Sequence, residues 1–181
     1  MPNALVLYFT KYGSTKQYAQ WIAEELNGDV LDIKAARPSR LRDYDVILLG
    51  SALYARSIKG LDLLVANYEK IKDKKLVVFT CGMADYSKKE NCDGIYKWLE
   101  EAIPKNILES IKVFYLRGGI DYRKLSFKHK VMMGMVRKMV LKKGADNMNE
   151  ENKEFLETDG KTVDFMERDS IIGIVEYCKN G

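Results

Sequence analysis

The feature that most constrains the fold is an apolar run that leads into a helix across a short loop. Ala4–Phe9 is a continuous apolar run rich in strand formers, as expected for a strand covered on both faces. After the loop, apolar residues recur at helical spacing from Tyr18 to Leu26, and Asn27-Gly28 is a typical helix stop. The sequence therefore begins with a strand, a strand-to-helix turn and a helix.

The turn itself is made of small hydroxyl residues and one glycine, within the run Thr10, Lys11, Tyr12, Gly13, Ser14 and Thr15. A helix N-terminus presents backbone N–H groups at the positive end of the helix dipole, so it binds a phosphate without a basic side chain. The hydroxyl groups would add donors, and the glycine would allow close approach of the backbone. An ordinary capped helix is the alternative, because Ser and Thr are common N-caps. The loop alone does not decide between the two.

Strands and helices alternate along the rest of the chain. Further strands are predicted at Asp29–Ile33 near a sheet edge, Asp45–Gly50, Lys75–Cys81 and Ile111–Leu116. Helices are predicted around 61–68, at Gly94–Ile103 and near Asp164–Lys179, the last with Phe165, Ile172, Ile174 and Val175 as core contacts. This alternation predicts an α/β fold with a parallel sheet covered on both faces. The loops Thr10–Thr15, Ser51–Lys59 and Gly82–Glu90 should then converge at the carboxyl ends of the strands.

Composition limits the chemistry that side chains can supply. The chain has 46% hydrophobic and 31% charged residues, no apolar run long enough to cross a bilayer and no signal-peptide pattern, so a cytoplasmic protein is expected. The three cysteines form no CxxC pair, and Cys81 reads as a structural thiol. With His129 as the only histidine, a metal site or a histidine-dependent triad is not expected. No catalytic side chain can be named, and a cofactor would carry the chemistry.

The three loops together resemble the flavin loops of flavodoxins. Thr10–Thr15 resembles the phosphate loop of that family, Gly50–Arg56 the second loop with its strand-end Gly-Ser and aromatic residue, and Thr80–Tyr86 the third. The resemblance implies one flavodoxin-like domain over 1–181, with strand order 2-1-3-4-5 and noncovalent FMN. The flavin ring would lie between two sets of residues: Ser51, Ala52, Leu53, Tyr54, Ala55 and Arg56 on one side, and Cys81, Gly82, Met83, Asp85 and Tyr86 on the other.

Two details qualify this resemblance. FMN is expected rather than FAD, because no second nucleotide fingerprint is present to hold an adenine. Flavodoxin-like loops usually carry a glycine shortly after the aromatic residue, where this chain has Ala55 and Arg56. Residues with a Cβ resist a positive φ, which argues against a stabilised one-electron flavin. Arg56 would place positive charge near a reduced flavin or a substrate carboxylate, or simply be solvated.

The segment from Asp121 to Val163 is additional to a short flavodoxin. Its first half, Leu125–Lys143, is predicted to be a helix with one apolar side formed by Leu125, Met132, Met133, Val136, Met139 and Val140. Its second half, through Gly160, is acidic and is predicted to be a loop. Eight Lys or Arg residues and one acid between Asp121 and Lys143 give this part a charge of +7, whereas the whole chain carries +4.

Three interpretations of this basic helix remain open. It can lie on an anionic membrane surface, its Met-rich side can receive a flat hydrophobic substrate or partner, or it can pack on the domain with its lysines in water. Nucleic-acid binding is not expected, because no aromatic residues are interleaved with the basic ones.

The insertion also resembles a particular group of flavodoxin-type enzymes. Its position, its opening Asp121-Tyr122-Arg123-Lys124, its Met-rich basic helix and the later Glu157-Thr158-Asp159 are similar to those of the menaquinone-dependent protoporphyrinogen dehydrogenases of bacterial haem synthesis. That resemblance implies an FMN-dependent oxidoreductase with a tetrapyrrole substrate, a quinone acceptor and peripheral contact with the inner face of the membrane through 122–143. The alternatives are a soluble electron carrier that docks to acidic redox partners and a non-redox interaction module.

Overall fold

A five-stranded parallel sheet forms the centre of the molecule. The structure is a computed structural model that describes residues 2–53, 57–144 and 148–180. The strands are β1 (Ala4–Phe9), β2 (Asp29–Asp32), β3 (Val46–Ala52), β4 (Lys75–Gly82) and β5 (Ile111–Arg117). Their order is β2-β1-β3-β4-β5, and all four pairings are parallel. The predicted fold class, strand order and edge position of β2 are confirmed.

Helices cover both faces of this sheet. On one face lie α1 (Ser14–Leu26) and α7 (Ile172–Lys179), and on the other lie α2 (Leu61–Ile71), α3 (Lys89–Ala102) and the short α4 (Lys105–Leu108). Side chains of a strand alternate between faces, so Leu5 and Leu7 join the core under α2 and α3. Ala4 and Val6 join the core under α1 and α7. Continuous apolar strands are therefore needed to fill two cores.

The additional segment forms two helices, and a short pair of antiparallel strands lies on either side of them in the chain. It contains α5 (Phe127–Lys142) and α6 (Glu150–Thr158). Before and after these helices, β6 (Gly119–Asp121) pairs antiparallel with β7 (Thr162–Asp164). This pairing closes the segment at its base. Within the described residues, no helix combines the length and apolarity that crossing a bilayer requires.

Helix α6 replaces the loop that the sequence predicted for the second half of the insertion. The Asn149 side chain accepts a hydrogen bond from the Asn152 N–H at 2.9 Å and so caps the helix. Glu150 and Glu151 occupy the first turn, where negative charge is favourable. Both signals are present in the sequence, so the acidic composition led to the wrong prediction.

Two helix starts were also predicted wrongly. Helix α3 begins at Lys89 rather than Gly94, and the ion pair between Lys89 and Asp93 spans its first turn. The last helix begins at Ile172 rather than near Asp164, because Thr162–Asp164 pairs with β6 as a strand.

Some predicted core contacts are on the surface instead. Ile174 and Val175 are buried as predicted, whereas Ile172 is 52% exposed and Phe165 lies half-buried under the Arg117 guanidinium group. Met139, predicted on the apolar side of α5, is 68% exposed, whereas Val140 of the same predicted side is buried.

Candidate functional site

The loop between β1 and α1 has the geometry of an anion-binding helix N-terminus. Gly13 has φ of 105°, a left-handed conformation that glycine adopts without strain, and its carbonyl accepts the Gln17 N–H. The Thr10 hydroxyl accepts the Gly13 N–H at 3.0 Å. The Ser14 hydroxyl accepts the Gly119 N–H at 3.0 Å, which fixes the loop to β6. These hydrogen bonds fix the conformation of the loop, so that the first turn of α1 faces the carboxyl edge of the sheet.

Thr15 supplies a polar atom that the fold leaves without a hydrogen bond. Its side chain is 1% exposed, and within the described ranges its Oγ1 has no hydrogen-bond partner, although the weakly polar Cys81 thiol lies beside it. Leaving a buried hydroxyl unpaired costs about 1–3 kcal/mol. Thr15 also lines the cavity described next, so a ligand there can supply the missing acceptor or donor.

A cavity of about 560 Å³ lies where the three predicted loops meet. From those loops it is lined by Thr10, Lys11, Tyr12, Ser14, Thr15, Ala52, Leu53, Cys81, Gly82, Met83, Ala84 and Tyr86. This volume is within the range of small-molecule and cofactor sites. The expected convergence of the loops at one edge of the sheet is therefore observed, whereas their role in binding a flavin remains a prediction.

Several predicted site residues do not line the cavity. Gly13 only shapes the loop, and Ser51 is buried in β3, where its hydroxyl accepts the Lys59 N–H at 2.9 Å. Asp85 lines a smaller neighbouring cavity instead, and its carboxylate accepts hydrogen bonds from Ser87. The remaining predicted residues, Tyr54, Ala55 and Arg56, lie outside the described residues.

The insertion provides a wall that the predicted site list did not include. Its contribution is Leu125, His129, Met132, Met133, Val136 and Phe155. Helix α3 adds Glu90, Asn91, Gly94, Ile95 and Trp98. The apolar side of α5 was recognised in the sequence, but its position over the three loops depends on contacts between residues more than a hundred positions apart. Most of the wall is methionine, aliphatic or aromatic, which suits a flat apolar ring.

Helix α6 is held against the body by two polar contacts. The Arg117 guanidinium group pairs with Glu154, and the Asn91 amide contacts the Glu151 carboxylate. Arg117 also donates to the Met83 carbonyl at 3.1 Å, so the third loop, β5 and α6 share one side chain. A smaller cavity of about 190 Å³ lies under these contacts and shares Met83 and Phe155 with the main one.

The titratable groups in the cavity do not favour nucleophilic chemistry. Burial raises the pKa of the Cys81 thiol to about 12, and burial likewise raises the pKa of Tyr86. Cys81 is thus a protonated, buried thiol, as the sequence indicated. No group of His, Cys, Asp and Glu side chains suited to a metal ion occurs within ranges 2–53, 57–144 and 148–180. The cavity can bind and orient a ligand, but it offers no reactive thiolate.

His129 is the one buried polar side chain in the wall supplied by α5. It is 3% exposed, its Nε2 lies 2.8 Å from the Lys11 Nζ, and its Nδ1 contacts the Tyr12 hydroxyl. The Tyr12 and His129 rings also meet edge to face, with centroids 5.6 Å apart. Because an ammonium group can only donate, Nε2 accepts and Nδ1 carries the proton of a neutral imidazole. Burial, and then the charge of Lys11, lower the pKa of His129.

This sheet order, with a cavity at the carboxyl ends of β1, β3 and β4, defines a doubly wound α/β protein whose cavity lies where the strand order reverses. The profile of the Flavodoxin domain family matches residues 5–149, and the chain belongs to that family.

Individual relatives are more distant. A stretch of 82 residues is 31% identical to an uncharacterized protein of Methanocaldococcus jannaschii and covers 44% of this chain and 55% of that protein. The chain thus matches about half the length of this relative. Two-electron reduced flavodoxin of Megasphaera elsdenii is 16% identical, with 63% of this chain and 84% of that chain covered and a TM-score of 0.45. Oxidised Flavodoxin 2 of Bacillus cereus is 18% identical over 64% and 84% of the chains, with a TM-score of 0.43.

Acid is expected to destabilise the protein through His129. A lowered pKa in the folded state means that the unfolded chain binds the proton more readily, so the free energy of unfolding falls as the pH drops below about 6.5. The loss is bounded by about 1.4 kcal/mol per pH unit for one proton. Urea unfolding at about pH 7.5 and about pH 5.5 measures it.

The His129→Gln variant is the control, because glutamine does not titrate. It should lose less stability than the wild type over the same pH interval. Equal losses in the two proteins would assign the effect to carboxylates elsewhere.

Proposed function

We propose that this protein binds FMN noncovalently in the main cavity and acts as an oxidoreductase of the quinone-dependent protoporphyrinogen dehydrogenase type. Membership of the flavodoxin domain family supports the flavin. The observation that carries the proposal is the unpaired Thr15 hydroxyl, buried in the first turn of α1 and facing the cavity. The helix N-terminus and that hydroxyl together fit a phosphate group.

In this proposal the residues of the chain bind and shield the cofactor. Thr10, Ser14 and Thr15 with the first N–H groups of α1 hold the phosphate. Leu53, Met83 and Tyr86 provide apolar surface for the ring, and the insertion excludes water from it. When bound, FMN would supply electron and hydride transfer.

The insertion favours an enzyme over a simple electron carrier. A carrier must present one edge of its cofactor to a docking partner, whereas here α5 and α6 cover the cavity with methionine and phenylalanine side chains. Such a wall provides a second apolar surface against which a flat substrate such as a tetrapyrrole can lie. Basic residues beside it, including Lys128 and Lys130, would attract the carboxylates of that substrate. A soluble carrier for acidic redox partners remains the second candidate.

Replacing Thr15 by valine should weaken FMN binding without destabilising the protein that lacks FMN. The change keeps the shape and removes a hydroxyl whose protein neighbour is the weakly polar Cys81 thiol, so the free energy of unfolding should change little. Loss of a hydrogen bond to a charged phosphate should raise the Kd for FMN by about tenfold or more. Fluorescence titration and urea unfolding measure the two quantities.

Thr80→Val is a matched control. Thr80 is also buried, with an Oγ1 that lacks a hydrogen bond to any described residue, but it does not line the cavity. Its Kd for FMN should equal that of the wild type. If the wild type binds no FMN, or if both variants bind it equally well, the phosphate assignment is wrong.

Anaerobic mixing with protoporphyrinogen separates the enzyme from the carrier. An enzyme of the proposed type should show reduction of its bound flavin, followed by reoxidation when a menaquinone analogue is added. Fully oxidised protoporphyrin, which has no electrons to give, is the control. Intact bound flavin that protoporphyrinogen leaves oxidised, but that a flavodoxin reductase reduces, would establish the carrier instead.

The outer side of α5 supports a proposed peripheral contact with an anionic membrane. Four apolar residues follow one another at intervals of four on this helix and are exposed: Phe127, Val131, Met135 and Met139. The lysines of the same helix, such as Lys128, Lys138 and Lys142, are exposed around this stripe. An apolar stripe flanked by cations fits an interfacial helix on acidic lipids. This stripe is a different side of α5 from the one that lines the cavity.

Vesicle co-sedimentation tests this contact. The protein should bind vesicles that contain phosphatidylglycerol at low salt, bind less at high salt, and show little binding to neutral phosphatidylcholine vesicles. Combined Phe127→Ser and Met139→Ser substitutions should reduce binding severalfold, since each removes apolar area that would become buried in the membrane. Ile172→Ser, which removes an exposed apolar side chain from α7, should have no effect. Equal binding by both variants would exclude α5 as the contact.

A further inference from the structure

Helix α5 crosses the cavity with little packing of its own. Of its residues, only His129 in the first turn and Val140 in the last turn are buried. Between them, Met132, Met133 and Val136 face the cavity rather than a packed core. A wall with few buried contacts is the part of a structure that opens most easily.

Among the described residues, two polar contacts between α5 and other parts of the chain differ in burial. Near its end, the Arg137 guanidinium group lies 3.3 Å from the Asp159 carboxylate, but Arg137 is exposed and such pairs contribute little. Near its start, His129 is buried and its two ring nitrogens contact Lys11 and Tyr12. The ring is thus shielded from water, whereas the Lys11 and Tyr12 side chains that contact it are themselves exposed. Of the two contacts, the one at His129 is therefore the one that includes a buried side chain.

Lys11 and Tyr12 belong to the loop that begins α1. They lie between Thr10 and Gly13, whose hydrogen bond shapes that loop. The side chains that hold α5 and the backbone groups that would hold a phosphate are therefore parts of one short segment. A change in the conformation of this segment changes both.

From this geometry we infer that α5 is a lid over the cavity and that His129 is the positioning residue that latches it to the loop before α1. In the latched state the lid traps a ligand bound at that loop, and release requires the His129 contacts to break. The same contacts link lid closure to ligand binding in both directions, because coupling between two sites is reciprocal. The lid and its latch are independent of the identity of the ligand, whereas the effect on FMN release depends on the proposed function.

Hydrogen exchange in the protein without added FMN tests the latch directly. His129→Phe keeps an aromatic ring against Tyr12 but loses both polar contacts, and Tyr12→Phe loses only the hydroxyl. Each should raise the amide exchange of residues 127–142 by roughly tenfold, the factor expected for a lost hydrogen bond. Exchange in β3 and β4 should stay at the wild-type rate. Lys130→Gln, an exposed change on the same helix, is the control for exchange and should leave α5 unchanged.

Two results would overturn the latch. One is wild-type exchange of α5 in both variants, and the other is an equal rise throughout the sheet, which would indicate general destabilisation. If His129→Phe does not fold, Tyr12→Phe decides the question alone, since it removes a single oxygen.

Release of FMN provides the second measurement. Both variants should release bound FMN about tenfold faster than the wild type, seen as the recovery of flavin fluorescence after dilution. Faster exchange of α5 with unchanged FMN release would confirm a mobile wall and overturn its role in retaining the ligand. If the wild type binds no FMN, the proposed function fails, whereas the exchange experiment still decides whether His129 latches α5.

Discussion

The parallel pairing of β1, β3 and β4 determines where every part of the cavity lies. The register places Tyr8 beside Gly50 and Gly50 beside Phe79, so the three strands end at almost the same height. The loops that follow them must therefore meet, whatever their sequences. The N-terminus of α1 lies at the same edge because only a short loop separates the end of β1 from the start of α1. The position of the cavity at this edge is a consequence of topology before it depends on any side chain.

The sequence predicted the features that depend on local patterns. Long apolar runs such as Ala4–Phe9 identified the strands, because a strand that is buried on both faces is apolar along its whole length. Their alternation with helices then predicted a parallel sheet and the meeting point of the loops, and the resemblance to flavodoxins implied the strand order. The Asn149 cap that begins α6 is also a local signal, whereas the acidic composition around it is typical of a loop.

Other features depend on contacts that no local pattern contains. His129 is the single histidine of the sequence, and nothing near it in the sequence indicates that it reaches Lys11 and Tyr12, which are more than a hundred residues away. Similarly, Thr162–Asp164 became a strand because Gly119–Asp121 was available to pair with it. The wall formed by the insertion thus could not be assigned to the cavity from the sequence, although its apolar side was visible.

The antiparallel pair of β6 and β7 has a consequence for the architecture as a whole. Paired strands are about 5 Å apart, so the chain leaves the body of the protein and returns to it at neighbouring points. Everything between those points is an excursion from a fold whose sheet is already complete. Such an excursion can lengthen, shorten or be exchanged for another during evolution without disturbing the strand register. A single ancestral scaffold can in this way acquire different covers for one binding edge, and the choice of cover then decides which molecules reach it.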